Sequence, residues 1–169
     1  MEFETRLPRN SKEGALYGSI IVTLTVLLMA PLNIGLMFGK FDGEVMLMIL
    51  KMVPLFWVLA MIIEPVLIGR IAEKLVTVFT KPTDSFNAKI LYRILFTVLG
   101  MSMIMTLIGE VIGNGFSAVT VTNFLTNWPR NFVIVLVAES LVIQPIARFA
   151  MVKLHASQAK KSRGPVLIK

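Results

Sequence analysis

Four long runs of apolar residues, separated by short polar segments, dominate the pattern of this chain. They cover about residues 15–38, 45–69, 88–112 and 119–147. Each run is long enough to cross a hydrocarbon core about 30 Å thick as one helix. An amphipathic stretch over residues 70–79 extends the second run beyond the core. The pattern therefore predicts an all-α integral membrane protein with four transmembrane helices.

Composition supports the same class. Hydrophobic residues make up 56% of the chain and charged residues 16%, whereas soluble domains hold about 45–50% apolar and about 25% charged residues. The chain has no cysteine and one histidine, His155, so thiol chemistry is excluded and a zinc or haem site lacks ligands. The sequence also lacks a nucleophile with a base at helical spacing. We therefore expect neither a cofactor nor enzymatic activity.

Positive charge is distributed unevenly between the two sides of the predicted bundle. The net charge is +7, and all but three of the 17 lysines and arginines lie near the termini or around the middle connection. The three exceptions are Lys40, Lys51 and Arg130. The positive-inside rule then predicts that both termini are cytoplasmic, where anionic lipid favours basic residues. The predicted cytoplasmic location of the basic residues accounts for the net positive charge. The chain also lacks motifs that read nucleic-acid bases, so we expect no nucleic-acid binding.

The chain matches itself without a gap at an offset of 75 residues. The matched pairs include Tyr17 with Tyr92, Phe41 with Phe116, Pro54 with Pro129, and Glu64 with Glu139. Each unit holds two spans, so both units enter the membrane with the same orientation. This predicts two parallel-repeat helix hairpins related by a pseudo-twofold axis along the membrane normal. The units are residues 1–80 and 81–155, followed by a basic cytoplasmic tail, residues 156–169.

Glu64 and Glu139 are the principal candidate site residues. With Arg148 at the inner boundary, Glu139 lies nine residues into its span, or roughly 13 Å at helical rise. A charged carboxylate there costs several kcal/mol, so it must face the bundle interior, face water or hold a proton. Two carboxyl groups that share a proton would suit proton-coupled transport. The alternative is structural: a protonated glutamate can hydrogen-bond a neighbouring helix and fix the register of the bundle.

Weaker candidates lie near the outer ends of the spans. Glu110 and Asn33 are proposed to bind proton or substrate in an outer vestibule, with Asn114 as a third member of a polar cluster. The alternatives are an interfacial charge at Glu110 and unrelated polar groups beside the loops.

The two prolines of the repeat, Pro54 and Pro129, each precede the matched glutamate by ten residues. A proline there is predicted to kink its helix, and the alternative is a proline at the first helical position. Tyr17 and Tyr92 are predicted to be aromatic-belt anchors.

The second half of the chain resembles a bacterial membrane family known as domain of unknown function 2798. Three features over residues 94–154 carry the resemblance: Gly100-Met101-Ser102, the segment Phe124 to Asn127-Trp128-Pro129, and Gln144-Pro145-Ile146-Ala147-Arg148. The first half is similar to a more divergent copy. The resemblance implies a two-span unit, often in tandem, in the bacterial cytoplasmic membrane, with no agreed activity.

Two functional hypotheses follow from these features. The first is a small transporter or efflux protein, acting as a homodimer, in which Glu64 and Glu139 couple proton movement to a small or cationic compound. The second is a membrane accessory, stress-response or immunity protein that acts through a membrane-protein partner and transports nothing. Both hypotheses place the chain in the lipid bilayer.

Overall fold

The computed structural model of the chain describes residues 6–162, and the regular secondary structure of this range is entirely helical. The helices are α1 Ser11–Phe38, α2 Gly43–Ile63, α3 Gly69–Phe79, α4 Phe86–Asn114, α5 Ala118–Ala138 and α6 Gln144–Ser162. A π-helical turn, Glu64–Ile68, joins α2 to α3, and a second, Glu139–Ile143, joins α5 to α6. The result is four continuous helices long and apolar enough to cross a membrane. The four-helix, all-α prediction is confirmed.

Residues with short polar side chains cap the N-termini of four helices. Asn10, Asp42, Ser85 and Ser117 are the N-caps of α1, α2, α4 and α5, and each side chain accepts a hydrogen bond from a backbone N–H of the first turn. Such caps satisfy donors that the helix leaves unpaired. Gly39 and Gly115 follow α1 and α4 with φ of 64° and 66°, a backbone conformation that glycine adopts without steric cost.

The helix starts of the two halves share one offset. The α1 and α4 helices begin at Ser11 and Phe86, and α2 and α5 begin at Gly43 and Ala118. The two π-helical turns and the helices that follow them are also 75 residues apart. A tandem unit would produce such matched boundaries, although the repeat and its pseudo-twofold axis stay predictions.

The packing order is a closed ring of four spans. The α1 helix packs on α2 and α4 packs on α5, while α3 packs on α4 and α6 packs on α1. The buried core is small: one cluster holds Val22, Val26, Ala30 and Ala60, and another holds Ile94, Val98 and Val135. Many large apolar side chains are instead exposed. In a bilayer these side chains would face lipid.

The structure excludes one of the two alternatives predicted for the prolines. Pro54 and Pro129 each lie in the interior of a helix, at the twelfth residue of α2 and of α5. The alternative of a proline at the first helical position is therefore wrong, and the kink stays a prediction. The α6 helix extends to Ser162, so the first part of the predicted tail, residues 156–169, is helical. Residues 163–169 of the tail and residues 1–5 of the first unit lie outside the described range.

Candidate functional site

Glu139 begins the second π-helical turn and points into the bundle. Its side chain is buried, with 7% of the residue exposed, and its backbone carbonyl accepts from the N–H of Gln144, five residues on. A π-helical turn inserts one residue relative to an α-helix, and such turns are frequent at functional sites. The inserted residue rotates all that follow by about 100°. The turn therefore decides which side chains of α6 face α1.

Two neutral side chains contact the Glu139 carboxyl group. Thr25 Oγ1 of α1 lies 3.4 Å from Oε1, and Gln144 Nε2 lies 3.4 Å from Oε2. Both distances exceed the usual range of about 2.7–3.2 Å for strong hydrogen bonds. No basic side chain is among these partners. The carboxyl group is thus buried but loosely held, with capacity to bind a proton or a cation.

Polar contacts continue from Glu139 towards the end of the bundle where α1 begins, called here the terminal end. The Tyr17 hydroxyl donates a 2.5 Å hydrogen bond to Gln144 Oε1. The guanidinium group of Arg148 lies beside the same hydroxyl. Its Nε is buried and has no hydrogen-bond partner among the described residues. The interface of α1 with α6 is therefore polar over several helical turns.

A second polar cluster lies further along this interface, at the terminal end. Glu13 and His155 are buried, 6% and 5% exposed, and His155 Nε2 lies 3.0 Å from Glu13 Oε2. Glu13 also accepts from the backbone N–H of Arg9 at 2.8 Å and from Gln158 Nε2 at 3.3 Å. The cluster attaches the start of α1 to α6.

Glu64 occupies the matched position of the first unit but has different surroundings. It begins the first π-helical turn, is half-buried, and makes no side-chain hydrogen bond to any other described residue. Position 69, which corresponds to Gln144, is glycine, and Gly100 corresponds to Thr25. The Ile68 side chain packs directly on Gly100. No hydrogen bond joins Glu64 to Glu139, whose described side-chain partners are Thr25 and Gln144.

The two outer candidates, Glu110 and Asn33, belong to separate groups. Glu110 accepts from Asn127 at 2.7 Å and from Asn114 at 3.0 Å, so both oxygens have short amide partners. Asn33 instead accepts from Arg130 Nη2 at 3.1 Å and donates to a backbone carbonyl of its own helix. The predicted contact of Glu110 with Asn114 is present, whereas Asn33 is not among their hydrogen-bond partners.

Sequence reasoning missed Thr25 and Gln144 as neighbours of Glu139, and it gave Tyr17 only a belt position. The signal for Gln144 was weak: a glutamine at the end of a span, inside one of the segments that carried the family resemblance. Nothing in the sequence distinguished Thr25 from the other threonines. No group of three or more metal-ligating residues occurs within residues 6–162.

The comparisons with known proteins concern the second half of the chain. Residues 86–155 match the model of the family described as domain of unknown function (DUF2798). No curated protein and no solved structure matches the chain.

Proposed function

We propose that this chain is a small transporter of the bacterial cytoplasmic membrane that couples proton movement to transfer of a small or cationic compound. Glu139 binds the proton, and Glu64 contributes through its charge. The observation that carries the proposal is a buried carboxyl group on a π-helical turn whose two partners are both 3.4 Å away. A site that must bind and release a proton in each cycle needs a carboxyl group without short, permanent partners.

Comparison with Glu110 supports this assignment. The Glu110 carboxylate accepts amide hydrogen bonds of 2.7 and 3.0 Å, distances typical of strong bonds to a charged acceptor. The bond from Asn127 joins α5 to α4, and the bond from Asn114 lies within α4. We therefore propose that Glu110 has a structural role and that Glu139 is the residue that binds and releases the proton.

The polar contacts between α1 and α6 support a route for the proton. From Glu139 the contacts pass through Gln144 to Tyr17 and Arg148, towards the terminal end. Hydroxyl and amide groups can hold water molecules in line, and such water can relay protons, whereas apolar side chains cannot hold it. Under the positive-inside rule the terminal end is cytoplasmic, so the route opens to the cytoplasm.

Two further parts of the proposal concern architecture. Matched helix starts and the ring of contacts support a tandem unit with a pseudo-twofold axis along the membrane normal. Four spans leave little room for an enclosed substrate cavity. We therefore propose a homodimer, with substrate bound where the copies meet.

The test is transport in liposomes that contain the purified full chain. Export of a fluorescent cation such as ethidium is followed under an imposed pH gradient. Glu139→Gln is expected to insert and assemble normally and to lose transport, while Glu64→Gln keeps part of it. Glu110→Gln is the matched control for a glutamate inside a span and is expected to transport. Normal transport by Glu139→Gln would contradict the proposal.

A second function is supported by the same contacts. Thr25, Tyr17 and Gln144 join the first span to the last, as hydrogen bonds between helices do in membranes. Glu139 would then hold the bundle together in an accessory protein that acts through a membrane-protein partner. This function predicts that Glu139→Gln assembles poorly, and that mild detergent recovers the wild-type chain with a different membrane protein in a fixed ratio.

A further inference from the structure

A basic groove lies on the outer surface of α6, beside the place where the apolar part of the fourth span ends. It is lined by Arg6, Pro145, Arg148, Phe149 and Val152, and its volume is about 320 Å³. This is within the range of small-ligand sites, about 300–1,000 Å³. None of the described residues that line it is acidic. The groove therefore combines two cations with an apolar wall.

We infer that this groove binds the phosphate headgroup of an anionic phospholipid. Arg6 and Arg148 contact the phosphate, and the start of an acyl chain lies against Pro145 and Phe149. Arginine matches phosphate oxygens with paired N–H donors. Basic pockets at the edge of the membrane are known to bind anionic headgroups.

The state of the Arg148 guanidinium is the strongest support. Its Nε is buried and has no hydrogen-bond partner among the described residues. A buried donor without an acceptor is costly, so the protein itself leaves this guanidinium group incompletely satisfied. Tyr17 lies beside the same guanidinium group on the protein side, and the groove offers the remaining donors to a ligand from the lipid side.

The surroundings of the groove favour a lipid over a soluble anion. Phe149 is 59% exposed and Leu141, about two turns deeper along the span, is 72% exposed. A soluble anion would leave these apolar surfaces uncovered, whereas an acyl chain would cover them. Lys153 holds its ammonium group 4.6 Å from the centre of the Phe149 ring, which places a third positive charge near the headgroup.

The inference does not depend on transport, because it concerns only the lipid-facing side of Arg148. It predicts that dioleoyl phosphatidylglycerol binds the purified full chain more tightly than dioleoyl phosphatidylcholine. Native mass spectrometry can count the bound lipids and measure both affinities. Arg6→Gln and Arg148→Gln should each weaken binding of phosphatidylglycerol by about tenfold, the loss of one charge-assisted contact. Arg70→Gln, an exposed arginine outside the groove, is the matched control and should bind as the wild type does.

Val152→Glu provides a test that leaves both arginines in place. It adds a negative charge to the rim of the groove, at a residue that is 37% exposed, so the fold should be kept. Binding of phosphatidylglycerol should fall while that of phosphatidylcholine stays the same. Equal affinity of the wild type for the two lipids would overturn the inference. So would wild-type binding by the Arg6, Arg148 and Val152 variants, or displacement of phosphatidylglycerol by millimolar inorganic phosphate.

Discussion

The Tyr17 hydroxyl donates a 2.5 Å hydrogen bond to the side-chain oxygen of Gln144, 127 residues later in the chain. The bond joins the first span to the last, one helical turn from the buried carboxyl group of Glu139. The matched tyrosine of the second unit, Tyr92, stacks on Phe96 instead, with ring centres 6.1 Å apart. Two units with matched helix boundaries thus have different interiors, and only one of them surrounds its glutamate with polar groups.

Replacement of Tyr17 by phenylalanine tests the importance of this bond. Tyr17→Phe removes the hydroxyl group and leaves Gln144 Oε1 without its donor. We expect the free energy of unfolding in detergent to fall by about 1 kcal/mol, with slower transport if the proton route is correct. Tyr92→Phe is the matched control, since the Tyr92 hydroxyl makes no hydrogen bond to another described residue. Equal losses in the two variants would show that the bond is unimportant.

Gly100 is predicted to be required for the packing of α4 on the first π-helical turn. A Cβ atom at this position would lie 2.9 Å from Ile68 Cδ1 and 3.1 Å from Cγ2, so a larger side chain must displace Ile68. Gly100→Leu is expected to lower the free energy of unfolding by about 1–3 kcal/mol, as is typical of overpacking. Gly18→Leu is the control, because no atom lies within 4 Å of a Cβ placed there. The account is wrong if both variants unfold alike.

The contact of Glu13 with His155 is predicted to fasten the start of α1 to α6. Glu13→Gln and His155→Gln should each lower the melting temperature by about 2–4 °C if the contact contributes about 1 kcal/mol in a chain of this size. Because the two side chains share one contact, the double variant should lose less than the sum of the single losses. Thermal unfolding followed by circular dichroism measures all three. Strictly additive losses would mean that the two residues act independently.

Asp42 is predicted to make the start of α2 sensitive to acid. The neighbouring Lys40 side chain and the backbone N–H of Val45 hold the pKa of this carboxyl group below its usual value. The pKa of an aspartate in an unfolded chain is about 3.9. A lower pKa in the folded protein stabilises the fold at pH values above about 3.9, and this stabilisation is lost as the pH falls through the folded-state pKa. Hydrogen exchange at Val45 should therefore lose protection in acid.

Asn is as good an N-cap as Asp but does not titrate. Asp42→Asn should keep the cap and abolish the acid response at Val45. Glu44→Gln removes an acid from the same first turn and should leave the response intact. If the acid response at Val45 persists in Asp42→Asn, another titrating group causes it.

The four spans could be predicted from the sequence because their cause is local. Apolar run length determines the spans, whereas the caps that begin the helices, such as Asp42 and Ser117, lie outside the predicted runs. The offset of 75 residues could also be seen, because Pro54 and Glu64 have matches in one register. These features need no knowledge of how the helices face each other.

The surroundings of Glu139 could not be predicted, because they depend on helix rotation. The π-helical turn rotates α6 by about 100° relative to an uninterrupted α-helix, and that rotation brings Gln144 to Tyr17. A prediction that assumes a constant period of about 3.6 residues along the whole span misses this rotation. The predicted grouping of Asn33 with Glu110 also depends on how the helices are rotated, and Asn33 accepts a hydrogen bond from Arg130 instead.

The most direct test of the central claim is infrared spectroscopy of the protonated carboxyl band in nanodiscs, with Glu139→Gln to assign it and Glu64→Gln as the control. The account predicts a band that is absent from Glu139→Gln, present in Glu64→Gln, and reversibly changed when the medium passes from mildly acidic to mildly alkaline. It also predicts a further change when a transported cation is added. A Glu139 band that stays the same in both media, with and without the cation, would contradict the assignment of Glu139 as the exchangeable proton site.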